Sequence, residues 1–231
     1  MIPTAACEQA AAFDGLLAAR HSCRAFAARQ VPREEVVALL ETAQRAPSWC
    51  NTQPWQVILT SGAATDRLRE ALYAHVLGGA PEVLDFDGPE QYTGVYRERR
   101  RTAGWQLYEA VGVRRGDRVA SAHQAAENFR FFGAPHVALI TTDAEQRVYG
   151  AVDAGLYAAT FLYAAQSRGI AAIPQAAVAM QSPFLREYFQ IPSDRKILMA
   201  ISFGYADEDH PANGYRTSRA PLSEVVTFVD G

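Results

Sequence analysis

Cysteine is scarce in this 231-residue chain: Cys7, Cys23 and Cys50 are an odd number with no C-x-x-C spacing. They exclude a disulfide framework and leave a reducing compartment, the cytoplasm, as the expected location. No apolar run approaches the roughly 18–20 residues needed to span a bilayer, so no membrane role is expected. The N-terminus carries Glu8 and Asp14 and lacks the basic and apolar regions of a secretory signal. Neither sign of charge dominates. With 22 Lys and Arg against 25 Asp and Glu, the net charge is −3, which argues against nucleic acid as a partner. Several catalytic signatures are also missing: G-x-G-x-x-G after a strand, G-x-x-x-x-G-K-[ST], H-E-x-x-H and G-x-S-x-G. The five histidines, at 21, 75, 123, 136 and 210, show no metal-ligand spacing. Asp85-Phe86-Asp87-Gly88 lacks the remaining ligands of a calcium loop.

What is present is an ordinary globular composition, 49% hydrophobic and 20% charged, with no linker, repeat or compositional break. One domain over 1–231 follows. Helical periodicity predicts a first helix from Glu8 to Ala19 and a second opened by Pro32, with Val36, Leu39, Leu40 and Ala43 on its buried face. Pro47 closes that region. Trp55–Thr60 reads as a strand, and Thr65 or Asp66 can cap a third helix running to Val76. Gly78–Gly94 is the long irregular segment. Tyr96–Val111 and Asp117–Phe131 read as helices, His136–Thr142 as a strand, and Val152–Ser167 as an alanine-rich, deeply buried helix. Ile170–Ile173 and Ile197–Phe203 read as core strands, and Val225–Val229 as a last β-prone segment. The fold class is a helix-rich α/β or α+β arrangement around a small sheet.

Two stretches carry chemistry. Arg20, Ser22 and Arg24 fall close together on an early loop, and Arg216 and Arg219 come near the end. Guanidinium groups flanking a serine make a phosphate clamp, although an isolated R-x-S-x-R is more often a solvated charge pair. The second stretch, Ala46–Trp55, sets Pro47, Ser48, Trp49, Asn51, Thr52 and Gln53 between a helix and a strand. Such a loop is either a turn satisfying its own backbone or part of a site.

Arg20-His21-Ser22-Cys23-Arg24-Ala25-Phe26, followed by Ala46-Pro47-Ser48-Trp49-Cys50-Asn51-Thr52-Gln53-Pro54-Trp55, resembles the flavin-dependent nitroreductase family, in its nitrobenzoate-reductase-like branch. Ile173-Pro174-Gln175-Ala176-Ala177, Phe203-Gly204-Tyr205-Ala206-Asp207 and Arg219-Ala220-Pro221-Leu222 extend the match in order, leaving only the middle unmatched. The resemblance implies α+β, a three-layer α/β/α nitroreductase-like fold with a small, mixed, mainly antiparallel sheet. It also implies an intertwined homodimer with FMN at the interface and NAD(P)H as electron source.

By that resemblance, Arg20, Ser22 and Arg219 hold the FMN phosphate and His21 joins the same pocket. Arg24 lies at the N1–O2 edge of the flavin, where a fixed cation favours the charge of the reduced ring. Asn51 bonds the flavin edge, Pro47, Ser48 and Trp49 line the site, and Gln53 bonds the ribityl chain or braces the loop. Pro174 leads into the backbone of Gln175, Ala176 and Ala177, which approaches a ring face and donates towards N5. Ala176 and Ala177 replace the Glu-Gly of some members, which removes an acid and leaves water as proton donor. No side chain acts as nucleophile or acid–base catalyst. The segment at about 78–118 forms a lid, with Tyr92, Tyr96 and Trp105 available to stack on a small aromatic acceptor. Arg97, Arg99, Arg100 and Arg101 read as a solvated helix face, with recognition of a carboxylated acceptor as the sharper alternative. Cys50 reads as a small buried filler. The expected activity is ping-pong reduction of nitroaromatics or quinones. Reductive dehalogenation, flavin modification and non-catalytic flavin binding are its alternatives.

Overall fold

The computed structural model describes residues 4–229. Its centre is a four-stranded sheet of β1 (Trp55–Ser61), β2 (His136–Asp143), β3 (Ala171–Gln175) and β4 (Arg195–Gly204), in the order β1-β2-β4-β3. All three strand pairs are antiparallel, and the parallel component is an isolated bridge between Ser22 and Ala172. Strand β2 shows why the sheet is covered on both faces. Its side chains alternate by the period of two, and residues on both faces are apolar and buried. Ala138 and Ile140 face one core; Val137 and Leu139 face the other. In β4 a bulge opposite Ile140 and Thr141 shifts the register, so Ile197 joins the same core as Ala200 despite the odd spacing.

The first core lies under α2 (Arg33–Ala43) and α6 (Arg147–Gln166), with α1 (Thr4–Ala19) against α6. Leu39, Tyr157 and Phe161 are large helical side chains buried in it, and Phe161 meets Phe203 of β4 edge-on at 5.4 Å. The second core lies under α3 (Ala63–Leu77), α7 (Ala176–Ala179) and α8 (Ser182–Phe189), with Leu68, Leu72, Val178 and Leu185 turned inward. Two helices outside these layers, α4 (Gly94–Ala110) and α5 (Arg118–Ala126), contain no buried residue. The three-layer α/β/α arrangement is the expected one. No helix of the described residues is long and apolar enough to cross a membrane.

Several boundaries differ from the sequence reading for physical reasons. Helix α6 begins at Arg147, because Gly150 lets its first turn lie against Thr142, where a Cβ would come within 2.7 Å of the Thr142 hydroxyl. It is also not deeply buried all round, since Val148, Tyr149, Val152 and Leu156 form an exposed apolar stripe. The helix expected over Asp117–Phe131 ends at Ala126. A 3-10 turn follows, in which Phe131 and Phe132 take left-handed φ of 57° and 52° and are both buried. Burying two phenyl rings outweighs the backbone strain. Helix α8 has no counterpart in the sequence reading, since eight residues carry too little periodicity. Val225–Val229 is not a strand: the chain there is irregular, with Phe228 73% exposed.

His136, at the start of β2, is 2% exposed and stacks on Phe203 with ring centroids 5.0 Å apart. Its Nε2 accepts from the Val31 N–H at 2.9 Å, so the ring is neutral and Nδ1 donates to the Ser61 hydroxyl at 2.8 Å. Burial holds its pKa below the ordinary 6.5. The unfolded chain therefore binds the proton first. The contribution of His136 is complete above that ordinary value and is lost as pH falls from there towards the depressed one. The difference in urea midpoint between wild type and His136→Gln should shrink between pH 7.5 and 5.5. A difference independent of pH would contradict this.

Candidate flavin site

The Arg20–Arg24 segment leaves α1 and lies against the sheet edge. The Cys23 N–H donates to the Ala172 carbonyl at 3.2 Å, beside the Ser22–Ala172 bridge. Because that bridge is parallel, the segment runs in the same direction as β3. Asn213, 6% exposed, fastens it from the other side: its Oδ1 accepts from the Arg24 N–H at 2.7 Å, and its Nδ2 donates to the carbonyls of Ala25 and Asp207. The Cys23 thiol is buried, donates to the Ala25 carbonyl at 3.0 Å and is pushed up to about 11 by burial, so it is an inert structural thiol.

Arg20, His21, Ser22, Arg24, Arg216 and Arg219 line one cavity of about 310 Å³, with Tyr215 and Thr217 beside them. Four guanidinium groups converge there, and no carboxylate lines the cavity among the described residues. The electrostatic consequence is visible in the site itself. Burial and then the Arg219 charge lower the Arg20 pKa. His21 is lowered by burial, against a hydrogen bond to the Ala19 carbonyl, and further by Arg216, Arg20 and Arg24. His21 Nε2 is buried without a hydrogen-bond partner. This is an anion site. Of the sequence-selected residues it gathers Arg20, His21, Ser22, Arg24 and Arg219. It adds Arg216, to which the sequence reading gave no role, and Tyr215, whose ring centroid is 5.9 Å from the Arg24 guanidinium carbon. The signal for Arg216 was its place beside Arg219.

Two residues beyond the bridge in each segment stand Arg24 and Pro174. Pro174 and Ala176 are exposed and Ala177 half-buried, whereas Gln175 between them is 2% exposed. Ala176 and Ala177 open helix α7, so their N–H groups have no carbonyl one turn earlier to receive them. Gln175 points its amide inward, where Nε2 donates to Asn128 and Oε1 accepts from the Ser202 hydroxyl. Arg24 also borders a larger cavity of about 920 Å³ beneath α5, lined by His123, Gln124, Arg130 and His210 among others; none of these was selected from the sequence.

The Pro47–Gln53 loop borders neither cavity. Cys50, Asn51 and Gln53 all have left-handed φ, at 51°, 56° and 47°, which non-glycine residues adopt only under compensation. The compensation is a chain of bonds. Trp55 Nε1 donates to Gln44 Oε1, Gln44 Nε2 to Gln53 Oε1, and Gln53 Nε2 to the Asn51 carbonyl, while Ser48 Oγ accepts from the Gln53 N–H. Gln53 therefore braces the loop. The Trp49 N–H donates to Asp153 Oδ1 at 3.0 Å and the Trp49 ring meets Tyr149 at 4.1 Å, both on α6. Pro47 and Asn51 are exposed, Ser48 is half-buried and Trp49 is 57% exposed. Cys50 is exposed as well, which corrects its reading as a buried filler.

Tyr92 and Tyr96 are 45% and 66% exposed and border none of these cavities; Trp105 packs edge-on to Tyr108 and under Arg115. Of the basic cluster on α4, Arg99 pairs with Glu224 at 2.6 Å and Arg100 covers the Tyr92 ring. Helix α4 packs on the Pro211–Asn213 turn and borders a third cavity, which it shares with Arg219 and the C-terminal segment.

Fold and site define a flavoenzyme scaffold, and the chain belongs to the nitroreductase family, whose profile matches residues 17–205. It is 42% identical over 231 residues to nitroreductase NfnB of Mycolicibacterium smegmatis, covering 98% of this chain and 95% of that protein. It is 36% identical over 222 residues to a 4-nitrobenzoate reductase of Nocardioides, covering 94% and 90%. The crystal structure of FMN-dependent NfnB from Mycobacterium smegmatis in complex with NADPH superposes with a TM-score of 0.91 at 40% identity, covering 96% of this chain and 100% of that one.

Asp153, 3% exposed, anchors the strained loop to α6. Asp153→Ala strands the Trp49 N–H and should cost roughly 1–3 kcal/mol in chemical denaturation, and Asp153→Asn, which keeps an acceptor, should recover most of it. Equal losses in both variants would contradict the anchoring role.

Proposed function

We propose that this chain is an FMN-dependent oxidoreductase that uses NAD(P)H to reduce nitroaromatic or quinone-type acceptors, working as a homodimer in the cytoplasm. What carries the reading is the cavity of four arginines without a carboxylate, on one line with the exposed end of β3. A terminal phosphate fits that donor set: Arg20, Arg216 and Arg219 supply charge, Ser22 a hydroxyl, and His21 an unpartnered buried nitrogen. The names of the relatives support the same reading, since they are reductases of nitro compounds.

Bound FMN supplies the redox chemistry, taking a hydride from NAD(P)H at N5 and returning two electrons to the acceptor. The chain's own groups prepare that exchange. Arg24 holds a fixed positive charge at the N1–O2 edge, where negative charge develops on reduction. The Ala176 and Ala177 N–H groups, free of helical partners, would donate towards N5 of a bound flavin, and their methyl side chains would permit close approach. For a nitro acceptor the first turnover consumes NAD(P)H and one proton and yields the nitroso compound, NAD(P)⁺ and water. With alanines at 176 and 177, the proton comes from solvent.

The wall of the ring site comes from a second copy. In one chain the loop is anchored at Asp153 while Arg20 lies near Tyr163, ten residues along α6 and about 15 Å away by helical rise. The exposed stripe of Val148, Tyr149, Val152 and Leu156 and the irregular apolar tail suit an intertwined partner. Pro47, Ser48, Trp49 and Asn51 of that partner then face the flavin. Residues 78–118 act as the lid, bringing Tyr92, Tyr96 and Trp105 to the acceptor.

The purified protein should be yellow or become so with FMN, bleach anaerobically with NADH or NADPH, and recover colour with a nitroaromatic. Arg20→Ala and Arg219→Ala should each weaken FMN binding by about tenfold or more, the loss of a charge-assisted hydrogen bond, whereas Arg97→Ala should not. A protein that never takes up flavin would overturn the reading. Bleaching without reoxidation would keep FMN and discard this acceptor class.

A further inference from the structure

The excursion between α3 and β2 is fastened to the body of the protein at several places, Arg69 to the Arg130 carbonyl and Arg99 to Glu224 among them, and two of these places flank the short segment that carries the ring-facing N–H groups. At its outgoing root the Val83 N–H donates to the Met180 carbonyl at 2.7 Å, and the Ser182 N–H returns to the Val83 carbonyl. Two residues on, Asp85 Oδ2 accepts from Arg186 at 2.6 Å and from the Ile197 N–H at 2.7 Å. This root grips the end of α7. At the returning root, Gln175 Nε2 donates to the Asn128 carbonyl at 2.9 Å and to Asn128 Oδ1 at 3.3 Å; Asn128 Nδ2 in turn donates to the Ala125 carbonyl in the last turn of α5. This root grips the start of α7. Between the grips lie four helical residues, headed by Ala176 and Ala177.

Gln175 is the joint of the second grip. Its side chain is buried and fully used: both donated bonds go to the excursion, and the accepted bond, from Ser202, goes to the sheet. Packing alone would be served by an apolar residue of similar volume, and a buried amide that loses one of its partners is costly. A four-residue helix has no internal slack, so a shift of either root relative to the sheet is passed to its first two N–H groups.

We propose that the Gln175 side chain is a positioning residue that couples the 78–128 excursion to the N–H groups of Ala176 and Ala177, so that the placement of the lid sets hydrogen bonding at flavin N5 and acceptor binding together. The proposal rests on the flavin reading above. It assigns the Gln175 amide a role distinct from the backbone contact expected from the sequence, and it makes Asp85 the corresponding anchor at the other root.

Three variants of the holoenzyme separate this from simple core stability. Gln175→Glu keeps an acceptor for Ser202 but replaces the donors to Asn128 with a carboxylate. Ser202→Ala removes the bond to the sheet and spares the excursion. Asp85→Asn weakens the outgoing root and carries the same test if Gln175→Glu does not fold. Gln175→Glu and Asp85→Asn should each shift the oxidised/reduced equilibrium of bound FMN by about tenfold, about 30 mV for a two-electron couple. Each should also raise KM for the nitro acceptor by about tenfold, a coupling of the usual size, with a smaller change in kcat. In the flavin-free chain, Gln175→Glu should increase amide hydrogen exchange across residues 118–130. Ser202→Ala should lower the melting temperature and move neither the potential nor KM. A wild type that binds FMN, with Gln175→Glu or Asp85→Asn binding it at unchanged potential, overturns the coupling and leaves the flavin reading intact. So does a Ser202→Ala shift equal to theirs. A wild type that takes up no FMN overturns both.

Discussion

The bond from the Cys23 N–H to the Ala172 carbonyl, with the parallel bridge beside it, is the contact on which the site depends. It lays an arginine-bearing loop along the edge of an otherwise antiparallel sheet. Two remote sequence segments thereby become neighbours with a common direction. From that alignment the chemistry follows in spatial order, with anion-binding groups at the start of the loop, Arg24 further along, and the exposed backbone of Pro174–Ala177 beside it. The buried amide of Asn213 holds the alignment from the other side by closing on both Arg24 and Ala25. Cys23 itself contributes only its backbone and its volume.

The charge arrangement is intelligible only with an anion in view. Four guanidinium groups around about 310 Å³ repel one another, and the lowered pKa values of Arg20 and His21 record both that repulsion and the loss of water. Elsewhere some arginines pair with a carboxylate: Arg99 has Glu224, Arg130 has Glu127 and Arg186 has Asp85. A site that concentrates like charge without a carboxylate forgoes stability that a dianionic ligand restores on binding. The strained Ala46–Trp55 loop tells a similar story in backbone terms. Three left-handed residues held by Gln44, Gln53, Ser48 and Asp153 form an exposed shelf that lines neither the anion cavity nor the one beneath α5.

Much of this was legible in the sequence because its signals are local. Short apolar runs place β2 and β4, proline and periodicity place α2, and the R-x-S-x-R and Arg219-Ala220-Pro221-Leu222 stretches mark residues that converge in one cavity. What escaped depends on tertiary context. Asn213 stands in no motif, and its three side-chain bonds arise only in the fold. Gln175 stands in a motif whose neighbours face outwards, and only the strand's alternation turns its amide inward to Asn128. The outer stripe of α6 is as apolar as its buried face, so composition suggested burial on all sides, whereas a single chain covers only one. Phe131 and Phe132 ended α5 early because burying their rings required a backbone no propensity scale favours. Cys50 followed the strained loop to the surface.

In the proposed enzyme one chain supplies the anion clamp and ring-facing backbone while a second supplies the loop. The direct measurement is complementation between two inactive variants, Arg20→Ala/Arg219→Ala in the clamp and Asn51→Asp in the loop, mixed under conditions that exchange subunits. Each mixed dimer would contain one site made of two unaltered halves. Flavin content and nitroreductase activity should then return to about a quarter of the wild-type value in an equimolar random mixture. Mixed dimers that form but recover neither would contradict the shared site.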